Sequence, residues 1–518
     1  METRSSKKKR LALMITMFEH SANDNEDRIS DLPDAVIHQI LFLLPIKSIA
    51  QTSVLSRRWK YIWHSLPDLD FTSLPSGTIK SSNKKGVNSS NNDTSGAEFI
   101  NQVLSLREKQ FEIRTLRFCA CLTFSRLNSL IRSAVKHNVQ ELDIEVATND
   151  YFNFPRSVII CDTLRVLKLK SRYPGFRLPP PGIMGAGFRS LHALSLSRLI
   201  LHDQPSLTNL FSYPSFPQLK KLNLDACYGL KHLNISCRAL EDLILENCAK
   251  LEDLDVTCLK LEKLKVLSCF DAYSMSSSVK IVAPRLRNIF WSYNKITESS
   301  SLQNLTSLCE AYVGFFILHE ELSEAKLGSV ANFLAGISHS ESLTLDSQCV
   351  EILSKNRHMG GIVIQPYNKL EFLELRTGFN KHNMPGLANL FRSSPIIHTL
   401  IIKIIDNHSA ERRLWNRDLW KFSNTGDERY WESQSRALKS FLHHLKVVKM
   451  HGFSECENDI SFVKFLLKHG KNLHQMFLIT GISRTSRDSL HRENIKSQIM
   501  GFSRASSNAT IIFQYEIL

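Results

Sequence analysis

No apolar run in this 518-residue chain approaches the roughly 18–20 residues that a membrane-spanning helix needs. The longest run near the start, Leu11–Phe18, has eight residues. Cysteine is sparse: eleven residues fall well below disulfide-scaffold density, and an odd count argues against a fully paired secreted framework. The expectation is a reducing compartment, nucleus or cytoplasm, and no membrane partner. Catalytic motifs are missing as well. Gly470-Lys471 lacks the preceding glycine of a P-loop, His319-Glu320 has no second histidine at zinc-protease spacing, and no G-x-S-x-G occurs. Gly182, Gly185 and Gly187 follow a triple proline, Pro179–Pro181, in a segment read as a loop. Histidines such as His192, His232, His398 and His444 have no matched nucleophile or carboxylate in the sequence. These absences predict a chain that is not an enzyme, with no catalytic residue, no metal ligand and no cofactor.

What is present argues for folded structure. A hydrophobic fraction of 43% rules out wholesale disorder, and the length exceeds one ordinary domain. Net charge is 65 − 50 = +15, which suits nucleic acid, an acidic partner or solubility alone. No nucleic-acid motif or Arg/aromatic platform accompanies it, so a nucleic-acid partner is the weaker expectation. The tetrabasic Lys7–Arg10 suits either a nuclear import signal or a disordered basic leader over 1–26, and the leader is the favoured reading.

The densest signal is DRISDLPDAVIHQILFLLPIKSIAQTSVLSRRWKYIWHSLPDLDF, residues 27–71. Ile37, Ile40, Leu41 and Leu44 fall at helical spacing, Pro33 suits a first turn, and Pro45 ends the helix. A second helix is expected over Ile46–Ser53 and a third from Ser56 to Trp63. The apolar set Leu32, Val36, Ile37, Ile40, Leu41, Phe42, Leu43, Leu44, Val54, Leu55, Trp59 and Trp63 exceeds what three short helices hide from one another. A docking module completed by a partner is therefore expected. Its charges cancel, so docking is expected to be apolar and weakly salt-sensitive.

Residues 72–97 are Ser/Asn/Gly/Lys-rich and read as a flexible linker, with folded chain resuming near Glu98. From about residue 110 one phrase returns, apolar-x-x-apolar-x-apolar. It stands, for example, as Val139-Leu142-Ile144, Leu164-Leu167-Leu169, Leu191-Leu194-Leu196, Leu370-Leu373-Leu375 and Leu445-Val448-Met450. Early spacings of 25, 27 and 28 residues suit leucine-rich repeats, each a strand plus a return segment that buries its apolar face by stacking. Over 219–269 the phrase returns every 10 or 11 residues, followed in step by Cys227, Cys237, Cys248, Cys258 and Cys269. Ten residues hold no strand plus helix. The spacing predicts coils of 21 residues with two strands, one on each side of a thin solenoid, and the cysteines in two buried columns. Stacked strands give a ladder, not a tetrahedral cage, so these thiols are expected to be structural. The segment 406–436, with Trp415, Trp420, Trp431 and several arginines, departs from the repeat and is expected to be an insertion whose tryptophans pack back on the solenoid.

The order Leu32-Pro33-Asp34, the helix to Leu44-Pro45, then Thr52–Trp59 and Pro67–Phe71 resembles the F-box in its plant form. The resemblance implies docking to a Skp-type adaptor through Leu32, Pro33, Ile37, Ile40, Leu41, Leu44, Val54, Leu55 and Trp59. Through that adaptor it implies a cullin–RING ubiquitin ligase. Repeats after an F-box resemble the plant F-box/leucine-rich-repeat family. Trp431, the strand at 445–450, Gly452-Phe453, the helix-like Phe462–His469 and Phe502–Ser506 resemble its FBD-type extension. The expected fold is α/β: a three-helix F-box (27–71), then a curved leucine-rich-repeat solenoid of parallel strands (98–365) continued by an FBD-like part (366–518) with a final strand Ala509–Tyr515. The expected function is substrate recognition in an SCF-type ligase, with the repeats holding an unknown protein target. The alternatives are a basic nucleic-acid- or chromatin-associated scaffold, or an F-box protein without ligase function. Some relatives hold a hormone and an inositol phosphate in a longer, regular horseshoe; the thin, irregular middle here predicts no such pocket.

Overall fold

The structure, a computed structural model, describes residues 29, 31–74, 93–147, 152–153, 156–171, 176–177, 187–199, 210–271, 276–316, 323–355, 365–379, 383–404, 428–453, 456–481 and 486–516. The leader 1–26, most of the linker, and Trp415 and Trp420 lie outside these residues. Two compact units emerge: Met1–Cys121 with Arg132–Asp143, and Leu122–Ile131 with Ile144–Leu518.

The first unit begins with helices α1 (Asp34–Phe42), α2 (Ile46–Thr52) and α3 (Arg57–Ser65). Strand β1 (Asp68–Asp70), helix α4 (Asp93–Leu106) and strand β2 (Thr115–Cys121) follow. β1 pairs in parallel with β2, Leu69 opposite Leu116. Helix α4 starts inside the stretch that composition assigns to the linker. The reason is a buried stripe, Ala97, Ile100 and Leu104, at helical spacing. Arg107 is buried and spreads its guanidinium over three carbonyls, donating to Leu66 O (2.9 Å), Phe111 O (2.9 Å) and Glu112 O (2.7 Å).

Helix α5 (Phe124–Lys136) and strand β3 (Glu141–Ala147) straddle the division. In the second unit a short parallel pair, β4 (Phe152–Asn153) with β6 (Phe176–Arg177), flanks helix α6 (Arg156–Ile159) and strand β5 (Val166–Ser171). The main sheet runs in parallel from β5 through β7 (Ala193–Ser197) and β9 (Lys221–Asp225) to β11 (Asp242–Glu246), β13 (Lys263–Leu267) and β15 (Asn288–Lys295). A second parallel sheet lies alongside in the order β16-β14-β12-β10-β8, from Ser299–Gln303 back through Ser278–Val282, Asp253–Thr257 and His232–Ser236 to Phe211–Ser212.

The two-stranded coils expected from the 10–11-residue rhythm are therefore present, in strict register. Leu222, Leu243 and Leu264 stack in the main sheet. Leu233, Leu254 and Val279 stack in the second. Every apolar position of the repeat is buried, because alternation along a strand turns these residues to one face. Cys227, Cys248 and Cys269 form one buried column, Cys237 and Cys258 the other. Each thiol donates to a carbonyl one coil back: Cys248 to Leu224 O (3.4 Å), Cys269 to Leu245 O (3.4 Å), Cys237 to Phe211 O (3.3 Å). Burial pushes Cys237 and Cys258 up to about 12, so these thiols stay protonated and inert. Main-sheet strands end on non-glycine residues in the left-handed region, Arg198, Ala226, Asn247 and Ser268. Each N–H there bonds the carbonyl of the next coil at 2.8–3.1 Å, which offsets the strain.

After Ser299–Gln303, the last strand of the second sheet, the return segment changes from strand to helix. The main sheet continues through β17 (Glu310–Phe316), β18 (Ser342–Leu345), β19 (Phe372–Arg376), β20 (Thr399–Lys403), β21 (Val447–His451), β22 (Gln475–Gly481) and β23 (Thr510–Glu516). Helices α7 (Glu324–Gly336), α8 (Ser347–Lys355), α9 (Met384–Ser393), α10 (Glu428–Gln434), α11 (Lys439–His444), α12 (Glu457–His469) and α13 (Ser486–Met500) intervene. The sheet runs unbroken from β18 to β19, so the FBD-like part continues the same stack. Trp431 is buried against Phe462 (4.7 Å between centroids) and Phe465 (5.7 Å).

Candidate docking site

The site candidates lie in the first unit, and proline sets their geometry. Pro33 (φ −56°, ψ 144°) and Pro45 (φ −59°, ψ 141°) hold extended backbone immediately before α1 and α2. Neither has an N–H to lose, so each turns the chain and opens a helix at little cost. Ser56 is extended too, and its hydroxyl accepts the Trp59 N–H (3.3 Å) to cap α3. Arg58 clasps the start of the module to α3: Nε and Nη2 donate to Asp34 Oδ1 (3.1 and 2.7 Å), and Nη2 also donates to Leu32 O. His38 Nε2 sits 3.2 Å from both Ile62 O and Ser65 Oγ.

Ile37, Leu41, Ile46, Ile49, Ile62, Trp63 and Leu66 are buried among the described residues of this unit. Ile37 and Leu41 are each 1% exposed, so they join the helices instead of presenting surface. Both belong to the same helical stripe as Ile40 and Leu44, but they form its inward, buried half. Pro33, Ile40, Leu44, Val54 and Leu55 are exposed, and Leu32 and Trp59 are half-buried. Val54 is 85% exposed and Leu55 65%, at the turn between α2 and α3. Leu43, 82% exposed in the turn before Pro45, joins Val36 and Phe42 as apolar surface that the motif resemblance did not name. The available signal was simple excess: three short helices have one inward face each, and the apolar set is larger than those faces.

The second unit offers a different surface. On the exposed face of the main sheet, Phe290 and Tyr312 stack at 4.4 Å, with Lys265 over the Phe290 ring (5.4 Å) and Arg376 over Tyr312 (5.5 Å). They border a groove of about 550 Å³ that Ile244, Asn288 and Thr344 also line. Burial, reinforced by Asp346, pushes the Tyr312 hydroxyl up to about 12. Among the described residues no three His, Cys, Asp or Glu side chains are arranged to hold a metal ion. No described helix is long and apolar enough to cross a membrane.

Comparison with known proteins bears on both units. The F-box domain family matches residues 29–70. The LRR repeats of FBD-associated F-box protein At5g56370 match 127–315, and the At1g61320/AtMIF1 LRR domain matches 236–515. The putative F-box/FBD/LRR-repeat protein At4g03220 of Arabidopsis thaliana is 48% identical over 490 residues, covering 94% of this chain and 95% of that one. The chain belongs to the plant F-box/FBD/LRR-repeat family. More distant members include Arabidopsis F-box/LRR-repeat protein At4g14096, 25% identical with 87% of each chain covered. F-box/FBD/LRR-repeat protein At3g26920, also from Arabidopsis, is 25% identical over 94% of this chain and 96% of that one. For this family member, the three helices are the F-box and the long parallel sheet with its return segments is the leucine-rich-repeat stack.

Proposed function

We propose that this chain is the non-catalytic substrate-recognition subunit of an SCF-type ubiquitin ligase, with its F-box docked on a Skp-type adaptor. The observation that carries the reading is the cluster Leu43, Leu44, Val54 and Leu55: large aliphatics left in water on a module whose own core is already filled. Burying one such side chain stabilises by about 1.5–3 kcal/mol, so a handful supplies an interface hot spot. Pro33 and the Arg58 clasp hold the start of α1 against α3, so the cluster is presented without an ordering cost. The repeats would hold a protein target, with the Phe290–Tyr312 groove as the anchor. Tethering raises the effective concentration of target lysines near ubiquitin carried by other subunits, and so asks for no nucleophile here. Such a subunit acts in the nucleus or cytoplasm.

The test is co-purification of the full chain with a Skp-type adaptor and with targets trapped under proteasome block. Val54→Asp with Leu55→Asp should abolish adaptor capture while leaving target capture intact. Phe290→Ala with Tyr312→Ala should do the reverse. Undiminished adaptor binding by the first variant overturns the reading.

A further inference from the structure

In the main sheet, the residue just before each strand forms a column of its own. Its N–H donates to the carbonyl of the equivalent residue one coil back: Glu241 to Lys220 (2.8 Å), Glu262 to Glu241 (2.8 Å), Glu371 to Glu341 (2.9 Å), His398 to Glu371 (2.9 Å). Side chains in this column meet their neighbours. Lys220 Nζ lies 3.1 Å from Glu241, and His398 Nδ1 lies 3.6 Å from Glu371. The column thus carries ion pairs between coils at two of its rungs, and its acids are Glu241, Glu262, Glu341 and Glu371, with Arg287 and Cys309 between Glu262 and Glu341.

After Glu371 the acids stop. The next members are His398, Lys446 (N–H to His398 O, 2.9 Å) and His474 (N–H to Lys446 O, 2.8 Å). Lys446 and His474 are exposed, as are Lys439 and His443 of α11 and Lys471 in the turn before β22. Asn472 Nδ2 donates to His443 O (2.8 Å), which ties that turn to α11. None of these five side chains has an ion pair among the described residues, and Glu432 of α10 is already held by Lys468 (2.9 Å) and His469 (3.1 Å).

We propose that this edge of the C-terminal coils binds an acidic, extended polypeptide segment of a protein partner. The last rungs, Lys446 and His474, hold no acid, and the exposed Lys439, Lys446 and Lys471 have no ion pair among the described residues, so the partner supplies the carboxylates. Rungs are set by strand spacing, about 4.8 Å, which suits one carboxylate per cation along an extended chain. The cations are lysines, point charges without the planar fork of arginine. No Phe, Tyr or Trp ring stands among the edge residues to stack a base, so protein is favoured over single-stranded nucleic acid. The inference concerns the second unit alone and stands whether or not the helices dock an adaptor.

The test is fluorescence anisotropy of the full chain with a labelled poly-glutamate peptide of about a dozen residues, its poly-glutamine counterpart, and a short DNA duplex. Poly-glutamate should bind and poly-glutamine should not. Lys446→Glu, Lys471→Glu and His474→Glu together should weaken poly-glutamate binding about tenfold, as expected for the loss of two solvent-exposed ion pairs and the addition of three negative charges. The control triple Lys168→Glu, Lys260→Glu and Lys263→Glu should change it less than about twofold, a loss from net charge alone. Equal losses in both triples overturn the proposal, as does poly-glutamine binding at equal strength. Tighter DNA binding that the edge triple removes overturns the choice of partner. If the triple lowers the melting temperature, Lys446→Gln with His474→Gln takes its place under the same criteria.

Discussion

Arg107 is 6% exposed, and its guanidinium donates to three carbonyls. Desolvation lowers its pKa to about 10, still far above neutral, so it stays charged at physiological pH. Arg107→Met keeps the volume and removes the donors. It should destabilise the first unit by about 3 kcal/mol, since buried carbonyls left unpaired cost about 1–3 kcal/mol each and part of that is regained by water. Chemical denaturation followed by tryptophan fluorescence checks this, because Trp59 and Trp63 lie in the same unit. His137 obeys the same rule with a pH consequence. Burial, with Arg107 beside it, lowers its pKa below 6.5. Below 6.5 the unfolded chain takes up a proton that the folded unit resists, so stability is lost as the pH falls through that value. Denaturation midpoints at pH 7.5 and 5.5 should differ, and His137→Gln should narrow the difference.

At the scale of the element, the coils show how few residues carry a repeat and where it fails. β15 meets β17 with a register shift between Trp291 and Asn294. The buried Asn294 amide there bonds the backbone at the end of the preceding coil. Its Oδ1 accepts the Cys269 N–H (2.8 Å) and Phe270 N–H (3.3 Å), and its Nδ2 donates to Val266 O (2.9 Å). Asn294→Ala should therefore cost about 2–4 kcal/mol in thermal unfolding, whereas Cys237→Ala should cost about 1 kcal/mol, because only a small thiol and a weak S–H bond are lost. The leucine phrase and the cysteine rhythm made the two-sided coils legible from sequence, since each position recurs on a fixed period. Asn294 was not legible. An asparagine in a strand has no period to betray it, and its value arises only from the backbone groups that it bonds. The second sheet's ends, Phe211–Ser212 and Ser299–Gln303, were missed for a related reason: they depart from the phrase at the points where the coil type changes.

At the scale of the whole molecule, the two units call on different physics. The F-box surface is apolar with balanced charge around it, so adaptor capture should change less than about threefold between 50 and 500 mM salt. Anion binding by the C-terminal edge, by contrast, should fall steeply over the same range. Measuring both on one preparation separates the two surfaces. Equal salt dependence would remove the division of labour.

Taken alone, the sequence determined the family, the three-helix module, the parallel repeat stack and its thin middle. All of these follow from spacing, and periodic burial writes itself into periodic residues. Only the tertiary structure decided which apolar residues face water. Ile37 and Leu41 share a stripe with Ile40 and Leu44, and packing alone splits that stripe into core and surface. Only stacking, likewise, placed Lys446 and His474 on successive rungs, because residues far apart in the chain become neighbours when coils pile up at strand spacing.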